Sequence, residues 1–193
     1  MTRVSSSNRA TGGILLAIAA AFVGLTVVRG QTHVAAAAPK APYVHEALVQ
    51  AVQTFAASLA PAQRSKAMFT FDDRERLNWH FVPRARRGLP LREMSAEQQE
   101  LARGVLRAGL SQRGYLAAST IIELENVLRE MGESPTMRDP ELYFFSIFGT
   151  PSRTAPWGFR VEGHHLSLNF TLVSDTLIST TPAFFGANPA EVR

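Results

Sequence analysis

Residues 160–171 read RVEGHHLSLNFT and bring together the side chains best equipped for chemistry. Histidine exchanges a proton near neutral pH and is the commonest metal ligand. A glutamate two residues away can bind the same metal, orient an imidazole or take a proton itself. The candidate catalytic residues are therefore Glu162, His164 and His165, and the candidate metal ligands are His164 and His165. A divalent metal ion is the candidate cofactor. The 193 residues contain no cysteine, so such an ion could be held only by His, Asp or Glu.

Strand side chains alternate faces. In one uninterrupted strand, His164 shares a face with Glu162, Leu166, Leu168 and Phe170, and should be the more buried. His165 then shares a polar stripe with Ser167, Asn169 and Thr171, and should be the more accessible. Gly163 marks a place where a bulge would break this phasing. A purely structural reading competes, in which Glu162 and His164 form a buried hydrogen-bonded pair at a sheet end. Adjacent histidines lack the i, i+4 helical spacing of the zinc proteases. Spacing leaves both readings open.

Other groups carry less. FDDRER sets Asp72 and Asp73 beside Arg74, Glu75 and Arg76, and reads as a salt-bridged turn. His80 lies opposite Trp79 on an alternating segment and could reach the same cleft. The RARRG cluster, Arg84 to Gly88, reads as a solvated loop rather than a phosphate site. There is no G-x-S-x-G elbow, P-loop or dinucleotide fingerprint.

The elements that must position these residues can be read from periodicity. Leu48, Val52, Phe55 and Leu59 recur four, three and four apart, one face of a helix that Pro61 should stop. Leu77, Trp79 and Phe81 alternate, which suggests a strand ending at Pro83. Ser95 and Gln98 form a capping box that opens a helix, with Leu101, Val105 and Ala108 on one face. Gly114 and Tyr115 interrupt, and a second helix is expected over roughly Ala117 to Met131, with Ile121, Leu124, Leu128 and Met131 inward. Gly132 stands where a C-terminal glycine belongs. These two helices are expected to pair as a hairpin. After Pro140 the chain turns aromatic and β-branched, broken by Gly and Pro, as strands are. Helices first and strands later predict an α+β fold with a mainly antiparallel sheet.

The N-terminus reads as an address. Arg3 and Arg9 precede the apolar run Gly13 to Val28, and alanines follow up to Pro39. This is the pattern of a signal peptide over residues 1–38, or of an uncleaved anchor, and either would export a single domain over residues 39–193 to the periplasm or beyond. The formal charge is +4, but removing Arg3, Arg9 and Arg29 leaves 17 basic against 16 acidic residues. A nearly neutral domain gives no basic field for a nucleic-acid partner. Membrane association is expected only through a retained N-terminal segment.

Five phrases occur together in order: FDDRERLNWHFVP, RGLPLREMSAEQQELARGVLRAGLSQRGY, RDPELYFFSIFGTPS, WGFRVEGHHLSLNFT and TPAFFGANPAEV. With them the chain resembles the exported bacterial proteins of DUF3500, a domain-of-unknown-function family, over roughly residues 45–193. The resemblance strengthens His164 and His165 as site residues. It also implies longer relatives, about twice this length, with a second histidine phrase near their end. By that comparison the chain is the N-terminal half of the family domain, an incomplete unit holding part of any shared site. Two functions follow as expectations. One is an exported metal-dependent enzyme, a hydrolase or an oxidoreductase, with its site at GHH. The other is a non-catalytic envelope protein that binds a small molecule or a protein partner.

Overall fold

The helical stripe of Leu48, Val52, Phe55 and Leu59 is buried along α1 (Ala41–Ser58) and the residue after it. The computed structural model describes residues 41–175 and 177–191. The apolar run Gly13 to Val28 and the expected cleavage region lie outside the described residues. No described helix is long and apolar enough to cross a membrane.

Pro61 ends α1 only to begin a second helix, α2 (Pro61–Ala67). In a first turn its missing N–H has no partner to lose. The strand β1 (Met68–Phe69) follows at once. The strand expected over Leu77 to Val82 does not form. Asp73 accepts the Glu75 N–H at 2.8 Å and caps a 3-10 turn over Arg74–Leu77, which leaves Leu77 73% exposed. Residues 78–88 then run without regular structure into β2 (Leu89–Pro90). A local cap has won over an alternating pattern of only three apolar residues.

The capping box holds. Ser95 Oγ accepts from the Gln98 N–H at 3.2 Å, and the Ser95 N–H donates to Gln98 Oε1 at 2.9 Å, opening α3 (Ala96–Gly109). Helix α4 (Gln112–Glu130) starts earlier than expected because Ser111 caps the Gly114 N–H at 3.1 Å. Only Leu110 and Ser111 separate the two helices, yet the chief helical partner of α3 is α1. The inward face of α4 also differs from expectation. Ala118, Ile121, Glu125 and Leu128 are buried, whereas Met131 is 60% exposed. Gly132 sits past the helix end with φ +90°, as expected of a C-terminal glycine.

Five more strands complete a seven-stranded sheet: β3 (Phe144–Phe148), β4 (Trp157–Gly163), β5 (Leu166–Val173), β6 (Leu177–Ser179) and β7 (Ala183–Phe185). The backbone order is β1-β3-β4-β5-β6, with β2 on β3 and β7 on β5. Every pairing is antiparallel except β1 with β3. The fold is α+β, four helices followed by a mainly antiparallel sheet.

Register divides the sheet into two unlike faces. Phe145, Ile147, Trp157, Phe159, Val161, Leu168 and Phe170 share one face and are buried in the same core as α1 and α3. Burying each such side chain contributes about 1.5–3 kcal/mol. Phe55 of α1 meets Phe145 at 5.7 Å, and Gly109 of α3 lies against the Phe170 ring. The other face carries Ser146, Arg160, Glu162, Ser167 and Asn169, and these are buried too. The 3-10 turn and irregular chain, not an α-helix, cover them. Glu75 reaches Arg160, and the Pro182 carbonyl accepts from Asn169 Nδ2 at 2.8 Å.

Candidate functional site

His164 and His165 are not strand residues. They are the two-residue turn between β4 and β5, closed by the pairing of Gly163 with Leu166. This corrects the phasing read from the sequence. A two-residue reversal opposes Glu162 to Ser167 and Arg160 to Asn169, so even positions of β4 share a face with odd positions of β5. Glu162 therefore belongs with Ser167 and Asn169, not with His164, Leu166 and Leu168. The two imidazoles do not point to opposite faces either. Their centroids are 4.3 Å apart, inclined by 45°. His165 takes a left-handed φ of +55°, as the second turn residue can. His164 is 7% exposed and His165 is half-buried.

The partner of His164 comes from α4. Its Nδ1 bonds Glu125 Oε1, and both side chains are buried. Glu125 Oε2 is also buried and has no hydrogen-bond partner among the described residues. The turn is fixed from three further directions. Tyr143, fully buried, donates its hydroxyl to the His164 carbonyl at 2.7 Å. Burial, reinforced by Glu125, pushes the Tyr143 phenol far above its ordinary range, so it stays a donor. The His165 N–H donates to the Phe81 carbonyl at 2.7 Å, and the Gly186 N–H donates to the His165 carbonyl at 2.9 Å. Phe184 stands edge-on to His165 and stacks on Phe81 at 3.9 Å. The FFGANP phrase and the irregular segment after Asn78 thus clasp the turn from both sides. Burial holds the His165 imidazole below its ordinary value, and His164 beside it acts the same way.

Glu162 belongs to a separate polar layer. Arg160, fully buried, donates to the Glu75 carbonyl at 2.7 Å and to Glu75 Oε1 at 2.6 Å, and its Nε lies 3.0 Å from Glu162 Oε1. Glu162 Oε2 accepts the His80 N–H at 2.8 Å. Burial raises the Glu162 carboxyl above its ordinary value, opposed mainly by the charge on Arg160. Two carboxylates and one guanidinium, with a backbone amide and Asn78 as further donors, tie residues 75–80 to the sheet. Such a cluster fixes a chain path more than it stabilises the fold. The His80 side chain contacts Asn78 and Arg84 instead. Asp72 is exposed, and Asp73 serves as the cap already described.

His164 and Glu125 open onto a cavity of about 380 Å³. Tyr143, Leu142, Phe144 and Met137 give it apolar wall, and Arg84, Arg86 and Arg92 give it positive charge. Its size lies in the lower part of the range of small-molecule sites. The arginine cluster read as a solvated loop is thus partly a cavity wall. Arg86 donates to the Gly163 carbonyl at 2.9 Å and the Val82 carbonyl at 2.6 Å, which binds the loop to the hairpin. Glu162 and His165 are not among the residues lining the cavity.

The structure therefore brings His164 and His165 together and separates Glu162 from them. Among the described residues, no group of three His, Asp or Glu side chains is arranged to hold a metal ion. Sequence reasoning missed Glu125 and Tyr143, and it set Arg86 aside as part of a solvated loop. Glu125 left a signal: an acid at a position where the three- and four-residue spacing of Ala118, Ile121 and Leu128 calls for an apolar residue.

The family model for DUF3500, a protein of unknown function, matches residues 42–193. The chain belongs to the DUF3500 family. The match covers every element of the site, from α4 through the GHH turn to the clasp at Phe184 and Gly186. No curated protein and no solved structure matches this DUF3500 chain.

Proposed function

We propose that this DUF3500 domain binds a small organic molecule in the cavity beside α4 and that His164 exchanges a proton with it. Glu125 acts as the positioning residue. One observation carries the reading: a buried imidazole–carboxylate pair forms part of the wall of a ligand-sized cavity. Glu125 occupies Nδ1, so Nε2 is the nitrogen that can meet a ligand. A carboxylate in this place fixes the tautomer and ring orientation of a general acid–base histidine. Buried imidazole–carboxylate pairs also serve as plain structural links, so the open cavity is what favours chemistry here. The adjacent His165 ring, whose proton affinity is lowered first by burial and then by His164, lies 4.3 Å from the His164 ring. No step is routed through a metal; among the described residues no three His, Asp or Glu side chains are grouped to hold one. The apolar run Gly13 to Val28 supports the further reading that the domain works outside the cytoplasm.

The test is a thermal-shift screen of small hydroxy, keto and amide compounds, followed by NMR of each hit mixture for turnover. His164→Gln and Glu125→Gln should abolish turnover while the protein still unfolds cooperatively. A turnover that survives both variants would overturn the acid–base role.

A further inference from the structure

We infer that the ligand of this cavity carries an oxyanion, a carboxylate or a phosphate, bound by Arg84 and Arg86, with an apolar body against Leu142, Met137 and Phe144. The inference rests on the proposed ligand site and adds the chemical class of its occupant. The charges around the cavity do not balance internally. Arg92 is neutralised by Asp139 at 2.6 Å, and Glu125 is taken by His164. Arg84 and Arg86 line the same cavity, and no ion pair with a carboxylate forms at either among the described residues. Among the described residues Arg84 bonds the His80 ring and the Ala85 carbonyl, and Arg86 is spent on backbone carbonyls.

Arg86 shows the clearest deficit. Its Nε is buried and has no hydrogen-bond partner among the described residues. A buried, unsatisfied donor on a cation is costly unless an acceptor arrives. Burial also lowers the Arg86 guanidinium from its ordinary value, and the carboxylate of Glu162 opposes this only partly. An oxyanion at the guanidinium would supply the missing charge and, with a shift of the side chain that uncovers Nε, the missing acceptor. Guanidinium forks suit carboxylate and phosphate because two parallel N–H groups meet two oxygens. The acid–base pair and the two arginines line one cavity, so an anionic head at the arginines would leave the rest of a small molecule to lie toward His164.

The probes are 3-phenylpropanoate, phenyl phosphate, the neutral 3-phenylpropanamide and inorganic phosphate. Amide-resolved NMR titration of the whole chain reads affinity and place together. One of the two organic anions should shift Met137 and Leu142 and bind about tenfold or more tightly than the amide, as charge-assisted hydrogen bonds require. The better of the two names the head group. Arg84→Gln, on an exposed side chain, should remove most of that preference without disturbing the fold, and Arg86→Gln should remove the rest where it folds. Equal binding of anion and amide at Met137 and Leu142 would overturn the charge assignment and leave the cavity standing. Inorganic phosphate binding as tightly as phenyl phosphate would overturn the apolar body. Shifts confined to residues outside the cavity, or no shift with any probe, would overturn the whole inference. An anion preference that holds while His164→Gln and Glu125→Gln leave turnover intact would strike only the acid–base reading.

Discussion

Gly163→Ala is the sharpest test of how the histidine turn is held. A Cβ built at Gly163 would meet three carbons of the Tyr143 ring at 2.4, 2.5 and 2.8 Å. Tyr143 is fully buried and anchored by its hydroxyl to the His164 carbonyl, so the ring cannot move aside freely. Gly163 does not need a left-handed backbone, so the penalty is steric. Overpacking of this kind costs about 1–3 kcal/mol. Displacing the ring also takes the donor from the His164 carbonyl, for about 1–3 kcal/mol more. The expected loss is roughly 2–6 kcal/mol, a large share of a typical domain stability of about 5–15 kcal/mol. Gly104→Ala is the internal control. It lies within α3 with nothing inside 4 Å of an added Cβ, and should stabilise the protein by about 0.5–1 kcal/mol. Urea unfolding followed by tryptophan fluorescence measures both. A Gly163→Ala variant within about 0.5 kcal/mol of wild type would refute the reasoning. Tyr143→Leu in the Gly163→Ala background should cost less than the two single losses added together.

Three further outcomes are expected. Because burial raises the Glu162 carboxyl, the folded chain holds that proton more tightly than the unfolded one. Its contribution to stability is complete below the ordinary value of 4.5 and is lost as pH rises through the raised value. Glu162→Gln should flatten the pH dependence of unfolding over that window, and an unchanged slope would reject the shift. His45 is buried on α1, and neither ring nitrogen has a hydrogen-bond partner among the described residues, so His45→Leu should raise stability by about 1–3 kcal/mol in chemical denaturation. If residues 1–38 are an export signal, N-terminal sequencing of exported protein should start between about residues 34 and 41. Recovery of intact Met1 on soluble cytoplasmic protein would count against that reading.

Much of the architecture was legible because it rests on local rules. The α1 stripe and the Ser95–Gln98 box specify two helices without help from the rest of the chain. Two caps were misread. Ser111 extended α4 through Gly114, and Asp73 diverted Leu77 into a 3-10 turn. The site was legible in its histidines but not in its geometry. Alternation alone cannot locate a reversal, and placing it between Gly163 and Leu166 exchanges every side chain downstream. Glu125, Tyr143 and Arg86 meet the turn from distances of tens of residues in sequence, and no spacing rule links such positions.

The polar layer under residues 75–82 gives the two sides of the sheet unequal resistance to opening. Peeling α1 or α3 away would expose aromatic rings to water, at about 25 cal/mol for each square ångström. Lifting the irregular cover uncovers Arg160, Glu162, Ser167 and Asn169, groups that water solvates well. The hydration they regain offsets part of the contacts they lose. Hydrogen exchange is therefore expected to show the cover opening more readily than the helical side. Since Phe81 in that cover accepts from the His165 amide, each such opening releases one side of the clasp on the histidine turn. Resistance to opening is thus expected to be greater behind the sheet, under the helices, than in front of it.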